Sequence, residues 1–147
     1  MSLQQLLQSR KIHPHQTSRN ELDELRALVG RDLKDAAIKE LSADRRFAVA
    51  YNAVLQLAKM VLACEGYRAS SRAGHHTTTL EAAGLILGAT QQTVMDYFDT
   101  CRRMRNQVNY DVAGVASEAE ADELIEKAKE FRQVVEDWVK QNHSQLA

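Results

Sequence analysis

The stretch Ala43–Glu65, ADRRFAVAYNAVLQLAKMVLACE, carries the widest apolar face in the chain. Phe47, Ala50, Tyr51, Val54, Leu55, Ala58, Val61 and Leu62 recur at the spacing of one side of an α-helix. Ser42 stands where an N-cap acceptor belongs, and Gly66 where a chain leaves a helix through a left-handed residue. Ala48, Ala53 and Ala63 are small enough to admit a neighbouring element closely. A helix with so wide an apolar face belongs at the centre of a core, and the rest of the chain is read as its cover.

Outward from it, periodic segments follow one another with short links. Residues 1–10 read as a short amphipathic turn with Leu3, Leu6 and Leu7 as apolar points, and Pro14 pushes His13 out of helical angles. A helix starts near Thr17, with Ser18 and Glu21 in capping-box positions. Its face runs through Leu22, Leu25, Leu28 and Val29 to Leu33, Ala36, Ala37 and Ile38. Gly30 leaves open whether 18–41 is one kinked helix or two. One of Thr77, Thr78 and Thr79 opens a short helix that buries Leu80, Ala83, Leu85, Ile86 and Leu87 and closes at Gly88. Thr90 is placed to cap the next helix. Ser117 and Glu120 form a second capping box. The last helix runs to Gln141, with Leu124, Ile125, Ala128, Phe131, Val134, Val135 and Trp138 inward. It holds eight acids against four bases, which reads as a solvated outer face, with a basic partner as the alternative. No sustained alternation predicts a strand. The expectation is an all-α, antiparallel up-and-down bundle of four to five helices in a single domain, 1–147, with 1–16 as an N-terminal extension.

Composition narrows the function classes. Apolar residues make up 44% of the chain and charged residues 27%, as in an ordinary soluble globular protein. A net charge of -1 gives no overall pull toward nucleic acid or anionic lipid, so binding of that kind needs a local patch. Cys64 and Cys101 lie on apolar faces and read as buried reduced thiols of a cytoplasmic protein. The N-terminus shows no signal-peptide pattern, and no apolar run is long enough to predict a membrane span. No Gly-rich phosphate loop, nucleophile elbow, zinc-ligand spacing or internal repeat is present. No cofactor and no metal are expected.

The densest polar chemistry is Thr100–Asp111, TCRRMRNQVNYD. Val94, Phe98, Cys101, Met104 and Val108 form an apolar stripe on the helix that ends there. Arg102, Arg105 and Asn109 line up beside that stripe, with Asn106 and Tyr110 as a second pair. The structural reading places arginines at the negative end of a helix dipole, with Arg102 and Arg103 paired to Asp96 or Asp99. The functional reading is an anion or nucleic-acid site, with guanidinium forks for phosphate and amides and a phenol for bases or sugars. A second basic group, Arg68, Arg72, His75 and His76, lies in the irregular connection Tyr67–His76, which holds no acid. It reads as a solvated loop or as an extension of the arginine row. Neither His75 with His76 nor His13 with His15 has the further ligands that a metal site needs.

Three pieces of sequence resemble the HEPN superfamily of small helical bundles, over roughly 43–140. They are the helix RRFAVAYNAVLQLAKMVLACEGYR, the Arg-Asn signature MRNQVNYD and the acidic-start helix SEAEADELIEKAKEF. Many HEPN proteins are metal-independent RNases with an R-x4-6-H motif, whose Arg and His meet across a dimer cleft. The resemblance implies that Arg105 and Asn106 match the start of that motif. Tyr110 stands where the histidine belongs, giving R-x4-Y, and no histidine lies between His76 and His143. A tyrosine with an ordinary pKa of about 10 moves protons poorly at neutral pH. The resemblance therefore implies binding more readily than cleavage. The first expectation is a non-catalytic module that dimerises and binds nucleotide, RNA or a minimal nucleotidyltransferase partner, with no membrane role. Its ligand-binding residues are Arg102, Arg105, Asn106, Asn109 and Tyr110, with Arg68, Arg72, His75 and His76 secondary. The alternatives are a toxin-like endoribonuclease using Arg105 and Tyr110, with His75 or His76 as a substitute proton carrier, and a dimerising scaffold without ligand.

Overall fold

The computed structural model describes residues 1–110 and 113–147, apart from the side chains of Asn109 and Tyr110. Its helices are α1 (Leu3–Gln8), α2 (Arg19–Ala36), α3 (Ala43–Cys64), α4 (His75–Leu87), α5 (Gln92–Tyr110) and α6 (Glu118–Asn142). They make the expected all-α bundle. α3 is packed by α2, α4, α5 and α6. Its residues Phe47, Ala50, Tyr51, Val54, Ala58 and Val61 are all removed from water. α3 is apolar and long enough to cross a membrane, but most of it is buried inside the bundle. Phe98 of α5 meets Phe131 of α6 at 5.0 Å between ring centroids, and both rings are buried in the core.

Helix starts follow the capping residues. The hydroxyls of Ser42 and Ser117 accept the backbone N–H of Arg45 and Glu120, and Glu120 completes its box by accepting the Ser117 N–H. Ser18 caps α2, but the Glu21 carboxylate does not return to the Ser18 backbone. It accepts instead from Thr17 Oγ1 at 2.8 Å and lies 2.7 Å from His15 Nε2. The box expected there is therefore half formed. α2 continues through Gly30 as one helix and stops at Ala36, and a Cβ at Gly30 would face open space.

The sequence pattern missed a small antiparallel ribbon. β1 (Ile12–Pro14) pairs with β2 (Tyr67–Ala69), His13 opposite Arg68. Three-residue strands are too short to show an alternating pattern. What makes the pairing is the turn out of α3. Gly66 takes φ +89 and reverses the chain, and its carbonyl accepts the His15 N–H at 2.8 Å. Ile12 enters the core, and with Leu6 it fastens the N-terminal segment to the bundle.

Other expectations are corrected in detail. The Tyr67–His76 connection is not wholly irregular: after β2, α4 begins at His75, before any of the three threonines. Leu80 and Ala83 are buried as expected, but Leu85 is 44% exposed and Ile86 and Leu87 are half buried, because α4 turns Thr79 and Ala82 inward. Thr90 lies within a short 3-10 turn, Ala89–Gln91, and caps nothing. Val134 and Trp138 are only half buried. An arginine that pattern reading had left aside, Arg46, is buried. Its Nε donates to the Ala36 carbonyl at 2.9 Å, and its outer nitrogens reach Glu118 and Asp122 at 2.7 Å each. That guanidinium ties the end of α2 and the start of α6 to α3.

Candidate functional site

The site forms where α4 and α5 meet the middle of α3. Tyr51 is fully buried at that crossing. The Arg105 guanidinium carbon lies 5.8 Å from the centroid of the Tyr51 ring, within cation–π range. From α4, the His76 ring approaches Tyr51 at 6.0 Å between centroids, tilted by 39°. His75 meets His76 edge-on at 4.5 Å, and its Nδ1 lies 3.2 Å from the Arg72 carbonyl oxygen. Starting α4 at His75 is what places both imidazoles on this first turn. The arginine row and the histidine pair, far apart in sequence, thus share one tyrosine.

The arginines differ in their engagement. Asp99 takes both expected pairs: Arg102 Nε donates to it at 3.0 Å and Arg103 at 2.7 Å. Asp96 instead accepts from Gln92. Arg103 and Asn106 face solvent. Arg102 and Arg105 are half buried, as the position beside the apolar stripe predicts. Among the described residues, the buried Arg105 Nε and the buried Tyr51 hydroxyl have no hydrogen-bond partner. Leaving such groups unpaired costs about 1–3 kcal/mol each. Both atoms are sealed from solvent, so acceptor oxygens of a ligand would satisfy them only where this crossing opens. The side chains of Asn109 and Tyr110, and with them the second half of the R-x4-Y pattern, lie outside the described residues.

Burial dominates the titration of the cluster. The Tyr51 phenol is pushed well above its ordinary value by desolvation, although Arg102 and Arg105 pull the other way. His76 is pushed down to about 4 by burial, then by the charges of His75, Arg105, Lys59 and Arg102. At neutral pH it is an uncharged imidazole amid cations. Cys64 and Cys101 are buried and unpaired, with burial raising each thiol to about 11, so neither is a nucleophile at neutral pH. Among the described residues, no three His, Cys, Asp or Glu side chains gather where they could hold a metal ion.

Sequence reasoning found the arginine row and the histidines but not the groups that join them. Tyr51 was assigned to the core, where its ring lies, and Lys59 was not singled out. The signal for Tyr51 was a hydroxyl on a face otherwise wholly apolar.

Comparison with known protein families, curated proteins and solved structures finds no match to this chain.

Proposed function

We propose that the chain is a HEPN-like module that binds the phosphate of RNA or a nucleotide at the cluster of Arg102, Arg105, His76 and Tyr51. One observation carries the reading: two polar groups, Arg105 Nε and the Tyr51 hydroxyl, are buried at the same crossing with no partner among the described residues. Phosphate oxygens are the acceptors that suit a guanidinium fork and a phenol together. The dimer and the nucleotidyltransferase partner belong to the same proposal and rest on the family resemblance. The test is a titration of fluorescent short RNA and of ATP against wild type and Arg105→Ala. Binding weakened at least about tenfold in the variant is expected, the loss of one charge-assisted contact. Equal binding by the two proteins ends the reading.

His76 favours a second reading, a metal-independent endoribonuclease. Its imidazole is neutral at pH 7 and feels the Arg105 charge, so it can take the proton of a ribose 2′-hydroxyl as that oxygen attacks the phosphorus held by Arg105, giving a 2′,3′-cyclic phosphate while the 5′-oxygen leaves and takes a proton from water. A base whose pKa is about 4 accepts that proton poorly until bound phosphate raises it, which favours binding over cleavage. Chelator-resistant cleavage lost in His76→Gln and Arg105→Ala would establish it. RNA left intact by wild type would end it.

A further inference from the structure

The arginine cluster continues into a longer basic face. A cavity of about 470 Å³ opens between α2, α3, β2 and α4. Lys59 and His75 stand on its wall, and the His75 ring meets His76, which faces Tyr51, so the cavity adjoins the Tyr51 crossing. Its floor is apolar, with Leu25, Leu62 and Ala63, and Tyr67 stands on its wall. Glu21 is the one acid among the described lining residues, and His15 and Thr17 already engage it.

Arg68 lines this cavity and also a second one, of about 430 Å³, on the outside of the ribbon. There it is joined by Arg10, His13, Arg72, Ser70 and Ser71, with no acid among the described lining residues. Arg72 is fixed by donating to the Ser9 and Arg10 carbonyls. Lys59, Arg68 and Arg10 take no part in the ion pairs found among the described residues. Cations thus line a course from α5 past α4 to the ribbon, and its middle is a half-apolar hollow containing a tyrosine.

We infer that this course holds a single RNA strand, with one unpaired base in the hollow beside Tyr67 and flanking phosphates on Lys59, Arg68 and Arg10. Cations at intervals suit phosphates, and an apolar hollow with an aromatic wall suits a base that is not paired. A duplex keeps its bases stacked inside and cannot fill the hollow. The cations run on past the hollow on both sides, as a polymer with a charge on every unit requires, which favours RNA over an acidic protein segment. The inference rests on the proposed phosphate site, which anchors one end of the strand.

The test uses the full chain and fluorescence anisotropy with a single-stranded RNA dodecamer, a trimer and a duplex of the same sequence. Arg10→Gln with Arg68→Gln removes two cations of the ribbon, and circular dichroism melting checks that the fold is kept. The double variant should lose about tenfold in dodecamer affinity at moderate salt, and its salt slope should fall by about 0.7 for each contact removed. Trimer binding should be unchanged, and the duplex should bind wild type more weakly than the single strand. Arg105→Ala should weaken both single strands. A double variant with wild-type dodecamer affinity and slope, while Arg105→Ala still weakens binding, overturns the course along the ribbon and leaves the phosphate site standing. A duplex bound as tightly as the single strand overturns the base in the hollow. If wild type binds no RNA, or Arg105→Ala changes nothing, the phosphate site fails and the inference falls with it.

Discussion

Replacing His76 with glutamine should remove an acid-linked loss of stability. The imidazole titrates near 4 in the folded chain against an ordinary 6.5, first because burial strips its water and then because His75, Arg105, Lys59 and Arg102 repel its charged form. A depressed histidine leaves stability intact above pH 6.5 and weakens it as the unfolded chain takes up the proton, until the folded chain also does so near 4. One pH unit is worth about 1.36 kcal/mol, so a fall from about pH 7.5 to 4.5 costs about 2.5 kcal/mol before screening. The ring is half buried, and solvent screening reduces this to about 1 kcal/mol. Urea unfolding of wild type and His76→Gln at the two pH values measures the difference, because the other titrating groups are common to both. Helical circular dichroism is the right signal. Trp138 lies 5.2 Å from His143, so its fluorescence would report that local contact rather than the fold alone. Equal losses in the two proteins between the two pH values would refute the account of His76 as a desolvated, cation-surrounded imidazole.

Three further outcomes follow from the geometry. RNA affinity should tighten as pH falls from about 7 toward 5, since a phosphate beside His76 favours its protonated form, and His76→Gln should flatten that profile in anisotropy titrations. Arg46→Ala should lower stability by about 2 kcal/mol in urea, because it orphans the Ala36 carbonyl while Glu118 and Asp122 simply return to water. Arg46→Lys should recover less than half, lacking the fork that serves three acceptors at once. Asp44 accepts the Gly114 and Ala116 N–H groups, and those bonds hold its carboxyl below the ordinary range. Asp44→Ala should therefore destabilise by about 0.5 kcal/mol at neutral pH, given its exposure. That difference should vanish as pH falls through the folded Asp44 pKa, where wild type also loses the carboxylate.

How much of this could be read from the sequence depends on how local each feature is. α3 and α6 were legible because long helices repeat their apolar spacing over many turns. α4 was legible as a helix but not in orientation, since it is apolar on nearly every side and no periodicity chooses between Leu85 and Ala82. The ribbon was hidden because Ile12–Pro14 and Tyr67–Ala69 each offer three residues, and their pairing is set by the reversal at Gly66. Arg102 and Arg105 were found because their row lies within one helix. The contact of His76 with Tyr51 was not legible, because it needs the packing of α4 on α3 and the start of α4 at His75. Tyr51 showed itself only as one hydroxyl in an apolar series.

The ribbon gives the first fourteen residues a structural hold on the basic face. β1 and β2 pair only with one another in their sheet, and β2 supplies Tyr67, Arg68 and Ala69 to the cavity wall. Removing or displacing the N-terminal arm would therefore withdraw Arg10 and His13 and also leave that wall without its backing. Changes at the front of the chain should be felt at a distance, in the shape of a hollow that α2, α3 and α4 otherwise hold between them.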